Sequence, residues 1–437
     1  MSDRDDGFRS GADVGGRDDA LRSATDTSGQ GGGLRSGADG CYKCSTCDSV
    51  CPVAEVDPSF PGPKFQGPEQ WRLEDDEIDP SITDCSNCMR CDGACPTDVP
   101  LSAMHNTARG AYVEGSMRPW SRTYLRNRLL ANYGTMARIA SRTPRLANAV
   151  MGSTLVRRLA ESLLGITAER EFPRFSDETF REWFDARGGA THESADRRVA
   201  YFHGDYANHN TPDVGKALVR VFESFGYEVR VPDQRCSGTP MFANGMLGDA
   251  RRAAAVNVEN LRALVADGYD VVCSCTSCSM ALRQEYPELF DVDGVETVAA
   301  NSWDAVEYLR VHEDLEGALA DATVDVPDVA YHAPCHARNQ GLGGQTVEVL
   351  DGLDGFEIHD VGDSCSGISG TYGWKAEKYD TSMAIGEEMF RHTERADAEA
   401  GLTECPTCAM AMEHGTGYEI GHTLELLETA LCGDDPA

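Results

Sequence analysis

The sequence predicts a protein of mixed α+β and α/β class, with a small helical domain on the N-terminal side and a duplicated α/β domain after it. Three observations support this fold class. A dense cysteine run occurs twice with a period of 44 residues, and a looser cysteine pattern occurs twice with a period near 130. Apolar segments with strand and helix periodicity alternate through the second duplication. The 437 residues are enough for two or three domains with their own cores.

The composition is acidic, yet it is not that of a disordered chain. Aspartate and glutamate number 72 against 39 lysines and arginines, which gives a formal net charge of -33, while 41% of the residues are hydrophobic. A dense carboxylate surface keeps a protein hydrated at high salt. We therefore expect a globular protein from a salt-adapted, archaeal source, and the negative charge argues against nucleic acid as a partner.

The N-terminal region and the cysteine count bear on location. Residues 1–40 are mostly Gly, Asp, Ser and Arg, and they are predicted to form a disordered tail without a signal peptide. No segment approaches the roughly 18–20 apolar residues of a membrane span. We expect a cytoplasmic protein, in which the 17 cysteines are metal ligands rather than disulfides.

The first duplication has the spacing CxxCxxCxxxCP, at residues 41–52 and again at 85–96. This spacing is typical of ferredoxins with two [4Fe–4S] clusters, in which the fourth cysteine of each run binds the other cluster. One cluster is assigned to Cys41, Cys44, Cys47 and Cys95, and the other to Cys85, Cys88, Cys91 and Cys51. Zinc is the alternative metal, but zinc prefers four ligands in two CxxC pairs. We place this domain at residues 41–115.

The second duplication consists of two α/β domains, predicted at residues 196–315 and 325–434. Each runs strand, helix, strand, helix, and the segments "RRVAYFHGD" and "PDVAYHAPC" begin them as strands. The corresponding residues are Cys236, Cys275 and Cys278 in the first domain and Cys365, Cys405 and Cys408 in the second, with Asp205 opposite Cys335. These cysteines fall at predicted strand ends and loops, where α/β domains usually form ligand sites.

A helical segment, predicted at residues 116–195, lies between the two duplications. Its residues 116–160 contain nine arginines and no aspartate or glutamate, with amphipathic helical spacing. Three interpretations remain open: contact with an anionic membrane surface, with an acidic partner subunit, or with carboxylates of the same chain. We favour an interface with another body, in which apolar burial supplies most of the binding.

The second duplication resembles a known cysteine-rich domain. A CxxC pair at Cys405, a Cys-x-Gly turn forty residues earlier at Cys365 and a lone cysteine thirty residues before that at Cys335 are similar to the "CCG" domain. That domain occurs in subunits of heterodisulfide reductase, glycolate oxidase, lactate-utilisation proteins and succinate–quinone reductase. A two-cluster ferredoxin domain followed by two such repeats implies an electron-transfer architecture.

Longer segments of the sequence indicate one family among those that contain this domain. Those beginning at residues 51, 201, 281, 331 and 367 read "CPVAEVDPSFPGPKFQGPEQWRL", "YFHGDYANHN", "ALRQEYPELF", "YHAPCH" and "GISGTYGWKAEKYDTSMAIGEEMF". They resemble the C subunits of anaerobic glycerol-3-phosphate dehydrogenases, over residues 41–431. The resemblance implies a subunit that takes electrons from flavin-containing partner subunits, passes them towards quinone and contacts the inner face of the membrane peripherally. No GxGxxG motif follows a predicted strand, so we expect no flavin or nicotinamide site and no catalysis by this chain alone.

The sequence departs from that family where its repeats have a vicinal Cys-Cys-Gly. It has Ser237 after Cys236 and Ser366 after Cys365, and Asp205 stands where the resemblance implies a cysteine. The second repeat still offers four thiols for a further iron–sulfur cluster: Cys335, Cys365, Cys405 and Cys408. The first repeat offers Cys236, Cys275 and Cys278, with Cys273 or Asp205 as a fourth ligand.

These departures keep an alternative function open. It is that of the iron–sulfur subunit of a lactate or glycolate oxidase, or of an enzyme like heterodisulfide reductase, with chemistry at the Cys-Ser-Gly sites. His203, His332 and His336 lie beside the predicted ligand loops, where hydrogen bonding is their expected role, and core packing is expected for Tyr372 and Trp374.

Overall fold

The structure is a computed structural model, and it describes residues 38–72, 78–192, 196–320, 322–362 and 364–433. Almost all of the tail predicted at residues 1–40 lies outside these residues. Short helices form the N-terminal part of the described chain, and two parallel sheets with helices on their faces form the rest. The predicted fold class is confirmed.

The N-terminal domain is built from short helices around its cysteine loops. They are Thr46–Ser49, Pro52–Val56, Arg90–Gly93 and Leu101–Gly110, with 3₁₀ turns at Ala38–Gly40, Gln70–Arg72 and Pro80–Asp84 and wider turns at Phe65–Glu69 and Ala111–Ser116. Proline starts the helix after the first cysteine run, since its fixed φ suits the first helical position and no backbone N–H is lost there. The helix Leu101–Gly110 is buried along its whole length and forms the centre of the domain.

Five helices connect this domain to the sheets: Arg122–Ala131, Tyr133–Ala140, Pro144–Met151, Thr154–Leu164 and Phe180–Ala186. The first begins at Ser121, whose hydroxyl accepts a hydrogen bond from the Tyr124 N–H (3.2 Å). The fourth ends at Gly165, which has a positive φ of 74°. None of the side chains in Pro144–Met151 or Thr154–Leu164 is fully buried.

The first sheet contains four parallel strands: β1 (Arg198–Phe202), β2 (Glu228–Arg230), β3 (Asp270–Cys273) and β4 (Ser302–Asp304). Their spatial order is β2-β1-β3-β4. The connecting helices are Gly204–His209, Pro212–Ser224, Thr239–Ala243, Leu247–Ala266, Thr276–Met280, Tyr286–Leu289 and Val295–Ala300, with a wider turn at Ala281–Glu285. The helices Ala305–His312 and Leu315–Leu319 follow β4.

The second sheet repeats the first. Its strands are β5 (Val329–Tyr331), β6 (Ile358–Asp360), β7 (Ala400–Leu402) and β8 (Ile420–Gly421), in the order β6-β5-β7-β8 and all parallel. Its helices are Cys335–Asn339, Gln345–Leu350, Tyr379–Arg395, Pro406–Thr416 and Thr423–Cys432, with 3₁₀ turns at Tyr372–Trp374 and Ala376–Lys378. The equal strand orders agree with the duplication seen in the sequence.

The two α/β repeats pack against each other through two pairs of helices, each with one helix from either repeat. Helix Pro212–Ser224 of the first repeat lies on Thr423–Cys432 of the second, and Ala305–His312 lies on Gln345–Leu350. One apolar core therefore runs through both sheets, from Val199 and Tyr201 in β1 to Val329 and Tyr331 in β5. This packing brings the carboxyl ends of the two sheets together.

Candidate metal centres

The two cysteine runs of the N-terminal domain share a backbone conformation. Non-glycine residues with positive φ occur two and four positions after the first cysteine of each run: Lys43, Ser45, Asn87 and Met89, at 59°, 64°, 59° and 61°. Such residues cost about 1 kcal/mol or more each and tend to persist at functional sites. Here they wind the loops around the thiols, and the Lys43 and Asn87 N–H groups donate to Cys41 Sγ (3.4 Å) and Cys85 Sγ (3.5 Å).

Cluster site 1 is a cavity lined by the four residues Cys41, Cys44, Cys47 and Cys95. Three of them come from the first run and the fourth from the end of the second. The Val99 N–H donates to Cys95 Sγ (3.4 Å), so this crossing cysteine is held by the same kind of contact as those in the loops. This is the set that the spacing predicted for one cluster.

Cluster site 2 is a separate cavity lined by Cys51, Cys85, Cys88 and Cys91, the set predicted for the other cluster. Burial alone would raise the pKa of Cys85, but the Arg109 guanidinium and the His105 ring, 3.8 Å away through Nδ1, together lower it to about 6. Cys85 is therefore already a thiolate near neutral pH, the form that binds metal.

Both donor sets fit a [4Fe–4S] cluster, because each consists of four thiols from the expected crossed runs. Within the described ranges, no three His, Cys, Asp or Glu side chains converge closely enough to hold a single ion. A [4Fe–4S] cluster needs a wider arrangement of cysteines than a single ion does, since each of the four thiolates binds a different iron.

A third cavity of about 130 Å³ lies between the two α/β repeats, and we call it the inter-repeat cavity. Seven cysteines from both repeats line it: Cys236, Cys275, Cys278, Cys335, Cys365, Cys405 and Cys408. The sequence suggested one site in each repeat. The structure instead places both sets around a single cavity, because the repeats pack with their strand ends facing each other.

The position of this cavity follows from the sheet topology. In each sheet the chain leaves the central pair of strands in opposite directions, so a crevice forms at the carboxyl ends of that pair. Asp205 and Cys275 follow β1 and β3, and Cys335 and Cys405 follow β5 and β7. Side chains also connect the repeats here, since His336 Nδ1 lies 2.9 Å from Ser277 Oγ and the Cys405 thiol is within hydrogen-bond reach of Cys275.

The serines of the two Cys-Ser-Gly turns occupy corresponding positions, but their hydrogen bonds run in opposite directions. Ser366 Oγ donates to Cys408 Sγ (3.3 Å), and Cys278 Sγ donates to Ser237 Oγ (3.4 Å). Each serine is therefore paired with the last cysteine of its own repeat. Glycine is required after Ser366, because Gly367 has a φ of 75° and a Cβ there would collide with the Ser382 carbonyl oxygen.

The two proposed fourth ligands of the first repeat differ in position. Asp205 lines the inter-repeat cavity beside Cys236, and burial raises the pKa of its carboxyl. Cys273 lies at the end of β3 inside the apolar core. Asp205 is therefore the better placed of the two.

Of the three histidines, His203 and His336 line the cavity, and His332 Nε2 is hydrogen bonded to the Ser364 carbonyl (3.1 Å).

Cluster site 2 adjoins the inter-repeat cavity. Cys88 lines both cavities, and Asn339 Nδ2 of the second repeat donates to its carbonyl oxygen (3.2 Å). Tyr372 is buried in one apolar cluster with Cys51 and Cys365, so its packing role is as expected. Contacts such as that of Asn339 carry no local sequence signal, because they join segments 251 residues apart.

The described helices include none that is long and apolar enough to cross a membrane.

The family comparisons agree with the division into domains. A family model described as a 4Fe-4S dicluster domain matches residues 37–99, and one described as a cysteine-rich domain matches residues 199–283 and 329–413. These confirm the iron–sulfur and duplicated cysteine-rich character of the chain.

Curated relatives cover most of the chain. The C subunit of the anaerobic glycerol-3-phosphate dehydrogenase of Escherichia coli is 34% identical over 404 residues, which is 90% of this chain and 98% of that protein. The B subunit of the fumarate reductase (CoM/CoB) of Methanothermobacter marburgensis is 25% identical, over 90% of this chain and 73% of its own length. A probable glycolate oxidase iron-sulfur subunit of Bacillus subtilis is 23% identical, over 79% of this chain and 80% of its own length.

Proposed function

The chain belongs to the family of anaerobic glycerol-3-phosphate dehydrogenase C subunits, as an iron–sulfur electron-transfer subunit of an oxidoreductase, and from this premise we propose how it works. It accepts electrons from flavin-containing dehydrogenase subunits that oxidise glycerol 3-phosphate. The electrons pass through cluster sites 1 and 2 to the inter-repeat cavity and from there to a membrane quinone. The protein associates peripherally with the inner face of the membrane.

The observation that carries this proposal is the contiguity of the thiol sites. Cys88 belongs to cluster site 2 and also lines the inter-repeat cavity, while Cys51 of cluster site 2 and Cys365 of the cavity belong to one apolar cluster. Bound [4Fe–4S] clusters supply one-electron transfer. The chain's own residues hold the clusters, exclude water from cluster site 2 through the buried helix Leu101–Gly110, and keep the two α/β repeats against it.

The cluster assignment is tested by cysteine variants of the anaerobically purified protein, with iron and sulfide analysis and EPR. The N-terminal domain is expected to contribute about eight irons per chain. Cys44→Ala and Cys95→Ala should both lose the signal of cluster 1 although they lie in different runs, whereas Cys91→Ala should lose that of cluster 2. Cys432→Ala, in the last helix, is the matched control. If Cys95→Ala lost the same signal as Cys91→Ala, the crossed assignment would be wrong.

The substrate is tested with whichever flavin-containing dehydrogenase subunits copurify with this protein from its source organism. Glycerol 3-phosphate should bleach and reduce the clusters when the partner subunits are present, and lactate or glycolate should not. Cluster reduction by lactate or glycolate, with none by glycerol 3-phosphate, would reject the proposal.

A second candidate function is supported by the inter-repeat cavity. The seven thiols that the two repeats contribute exceed the four that one ordinary cluster needs, so the cavity has groups left for chemistry of its own. That would suit a catalytic iron–sulfur subunit of the lactate, glycolate or heterodisulfide class. Reduction of an added disulfide or 2-hydroxy acid oxidation by the isolated subunit would favour this candidate.

We also propose that the protein works at high salt. The net charge of -33 and the excess of carboxylates over basic groups support this proposal, because such surfaces stay hydrated when salt screens their repulsion.

A further inference from the structure

Three successive helices of the connecting segment expose large aliphatic side chains. We call the set Ile139, Leu146, Val150, Leu155, Leu159 and Leu163 the aliphatic face. Its members are exposed by 47% to 77%, and Trp120 nearby in the sequence is 87% exposed. Single exposed apolar residues are ordinary, but a set of this size on adjoining helices indicates a contact surface.

Helix Thr154–Leu164 is apolar on two sides. Ala160 and Leu164 point inward and pack against the apolar cluster that contains Trp374 and Phe390. Leu155, Leu159 and Leu163, spaced four residues apart, form the opposite side and are 77%, 55% and 62% exposed. A helix with one buried side needs a polar outer side in water. The leucine stripe therefore requires a partner that the described part of the chain does not supply.

The charge around the aliphatic face is positive in an otherwise acidic protein. Residues 116–160 carry nine arginines and no carboxylate, against a net charge of -33 for the chain. Arg126 is paired with Glu377 (2.6 Å) and Arg145 with Asp177 (3.0 Å), so part of the segment does contact carboxylates of the same chain. Arg128, Arg142 and Arg158 are exposed, and none forms an ion pair with the described residues. The partner is therefore expected to be apolar and anionic at once.

The chemistry of the face favours lipid over protein as that partner. Energetically dominant residues of protein interfaces are enriched in Trp, Tyr and Arg, with Leu and Val under-represented. Helices that lie in the membrane interface combine Leu, Phe or Trp on one face with Lys or Arg beside it. Helix Thr154–Leu164 has the second pattern, since Arg158 lies on the same side as Leu155 and Leu159.

The face also adjoins the predicted electron exit. Directly after helix Thr154–Leu164, Gly165 O accepts a hydrogen bond from the Ala376 N–H (2.8 Å), and Ile166 pairs with Lys375. Tyr372, four residues before Ala376, belongs to the same apolar cluster as Cys365 of the inter-repeat cavity. One short segment of the second repeat therefore separates the end of the leucine stripe from the cavity.

We propose that the aliphatic face docks the protein onto an anionic lipid surface, with the leucines entering the acyl boundary and the exposed arginines at the headgroups. The docking orients the inter-repeat cavity towards the membrane, and it rests on the proposed electron transfer to a membrane quinone. The rest of the surface, dominated by carboxylates, is repelled by the same lipids, so only this orientation binds.

The test uses the full anaerobically purified chain and flotation with vesicles at 0.5 M and 2 M KCl. One vesicle set is phosphatidylcholine with one third phosphatidylglycerol, and the other is phosphatidylcholine alone. The wild type should float with the anionic vesicles. A Leu155→Gln, Leu159→Gln, Leu163→Gln triple variant should bind about 100-fold more weakly at both salt concentrations. An Arg142→Gln, Arg158→Gln variant should bind anionic vesicles at least about threefold more weakly than the wild type at 0.5 M KCl. This difference should be seen only with anionic vesicles at the lower salt concentration.

Val311→Gln is the matched control, because Val311 is 61% exposed on helix Ala305–His312, away from the connecting segment. It should bind as the wild type does. Wild-type flotation by the leucine variant would overturn the proposal, and so would failure of the wild type to bind anionic vesicles. Loss of dehydrogenase binding with flotation retained would assign the face to a protein partner instead. If the leucine variant loses iron, its weaker binding is set aside, and the arginine variant alone tests whether the face binds anionic lipid.

The outcomes separate this inference from the proposed function. Vesicle binding through the face without reduction by glycerol 3-phosphate would reject the function and keep the docking surface. Reduction of the clusters by glycerol 3-phosphate in a leucine variant that still floats would keep the proposed function and reject the docking surface.

Discussion

At the scale of single residues, the serines of the two Cys-Ser-Gly turns have a definite position. Ser366 and Ser237 are buried, and each is hydrogen bonded to the last cysteine of its repeat, Cys408 or Cys278. The Ser366 hydroxyl donates to its thiol, whereas the Ser237 hydroxyl accepts from its thiol. A hydrogen bond from a hydroxyl to a metal-bound thiolate tunes a metal centre without binding the metal.

Ser366→Ala is expected to lower, by tens of millivolts, the midpoint potential of the further iron–sulfur cluster proposed at Cys408. The reason is that a hydrogen bond to thiolate favours the reduced, more negative state. EPR-monitored redox titration measures the change. Ser364→Ala is the matched control, since the Ser364 hydroxyl has no hydrogen-bond partner among the described residues. An equal shift in both variants, or none in Ser366→Ala, would contradict the role given to this hydroxyl.

A buried carboxyl near cluster site 2 makes stability depend on pH. Burial, and after it the neighbouring Glu288, raise the pKa of Glu285 from 4.5 to about 8. Because the folded state holds this proton more tightly than the unfolded state, Glu285 favours folding fully below pH 4.5. That contribution is lost as the pH rises through about 8.

Glu285→Gln should therefore gain stability relative to the wild type as the pH rises from 5.5 to 8.5, by about 2–4 kcal/mol. The free energy of anaerobic urea unfolding at the two pH values measures the difference. Glu259→Gln, on the exposed side of helix Leu247–Ala266, should leave the pH profile unchanged. Parallel profiles for wild type and Glu285→Gln would show that this group does not cause the dependence.

At the scale of elements, helix Leu101–Gly110 joins the ferredoxin-like domain to the first α/β repeat. Its Arg109 is buried and donates to Asn106 Oδ1 (2.9 Å), Phe242 O (3.1 Å) and Cys85 O (3.2 Å). One guanidinium thus holds a ligand loop and a helix of the next domain at fixed positions. Only arginine has enough donors in a rigid plane for this.

Arg109→Lys is expected to lower the free energy of unfolding by about 2–4 kcal/mol, because buried carbonyl oxygens lose their donors. Cluster 2 should be lost before cluster 1, since Cys85 belongs to cluster site 2. Thermal unfolding with parallel EPR gives both quantities. The exposed Arg118→Lys serves as control. Simultaneous loss of both clusters would mean that Arg109 stabilises the domain as a whole rather than the loop.

At the scale of the whole molecule, surface charge and repeat packing act on different parts of the protein. The two repeats share one apolar core, and the ion pairs Arg220–Glu428 (2.5 Å) and Arg310–Glu348 (2.8 Å) also join them. The chain has an excess of 33 negative charges, and the repulsion between like charges opposes the compact state at low ionic strength.

Raising KCl from 0.5 M to 3 M is therefore expected to raise the unfolding midpoint, by about 5–10 °C. Anaerobic differential scanning calorimetry of the wild type measures it. Sucrose at matched osmolality is the control, because it favours the folded state without screening charge. A midpoint that is flat or falls with KCl would contradict adaptation to high salt.

Much of the fold and the cluster sites could be predicted because their signals are local. The ligands of cluster sites 1 and 2 occur in two short runs, and a spacing of two or three residues limits which thiols can reach one cluster. The predicted sets line separate cavities. The strand order was not predicted, but the repeat of strand and helix segments was, since it depends on periodicity within each segment.

The inter-repeat cavity could not be predicted, because its two halves are far apart in the chain and no local pattern states how two domains pack. The same holds for Asn339 at Cys88 and for Arg109 at Phe242, which join segments 251 and 133 residues apart. The positive segment at residues 116–160 was visible in the sequence. Its division into arginines paired within the chain and leucines left outside depends on the side of each helix that the core covers.

The thiol sets, the duplication and the acidic character could be inferred from composition and short spacing in the sequence. The packing of the domains was needed to show that the two cysteine-rich repeats share one cavity, that cluster site 2 adjoins it, and that the leucine stripe has no partner within the described part of the chain. The physical reason is burial. Which strand ends meet, and which side of a helix is covered, depends on how complete apolar faces pack, and that is a property of the assembled elements.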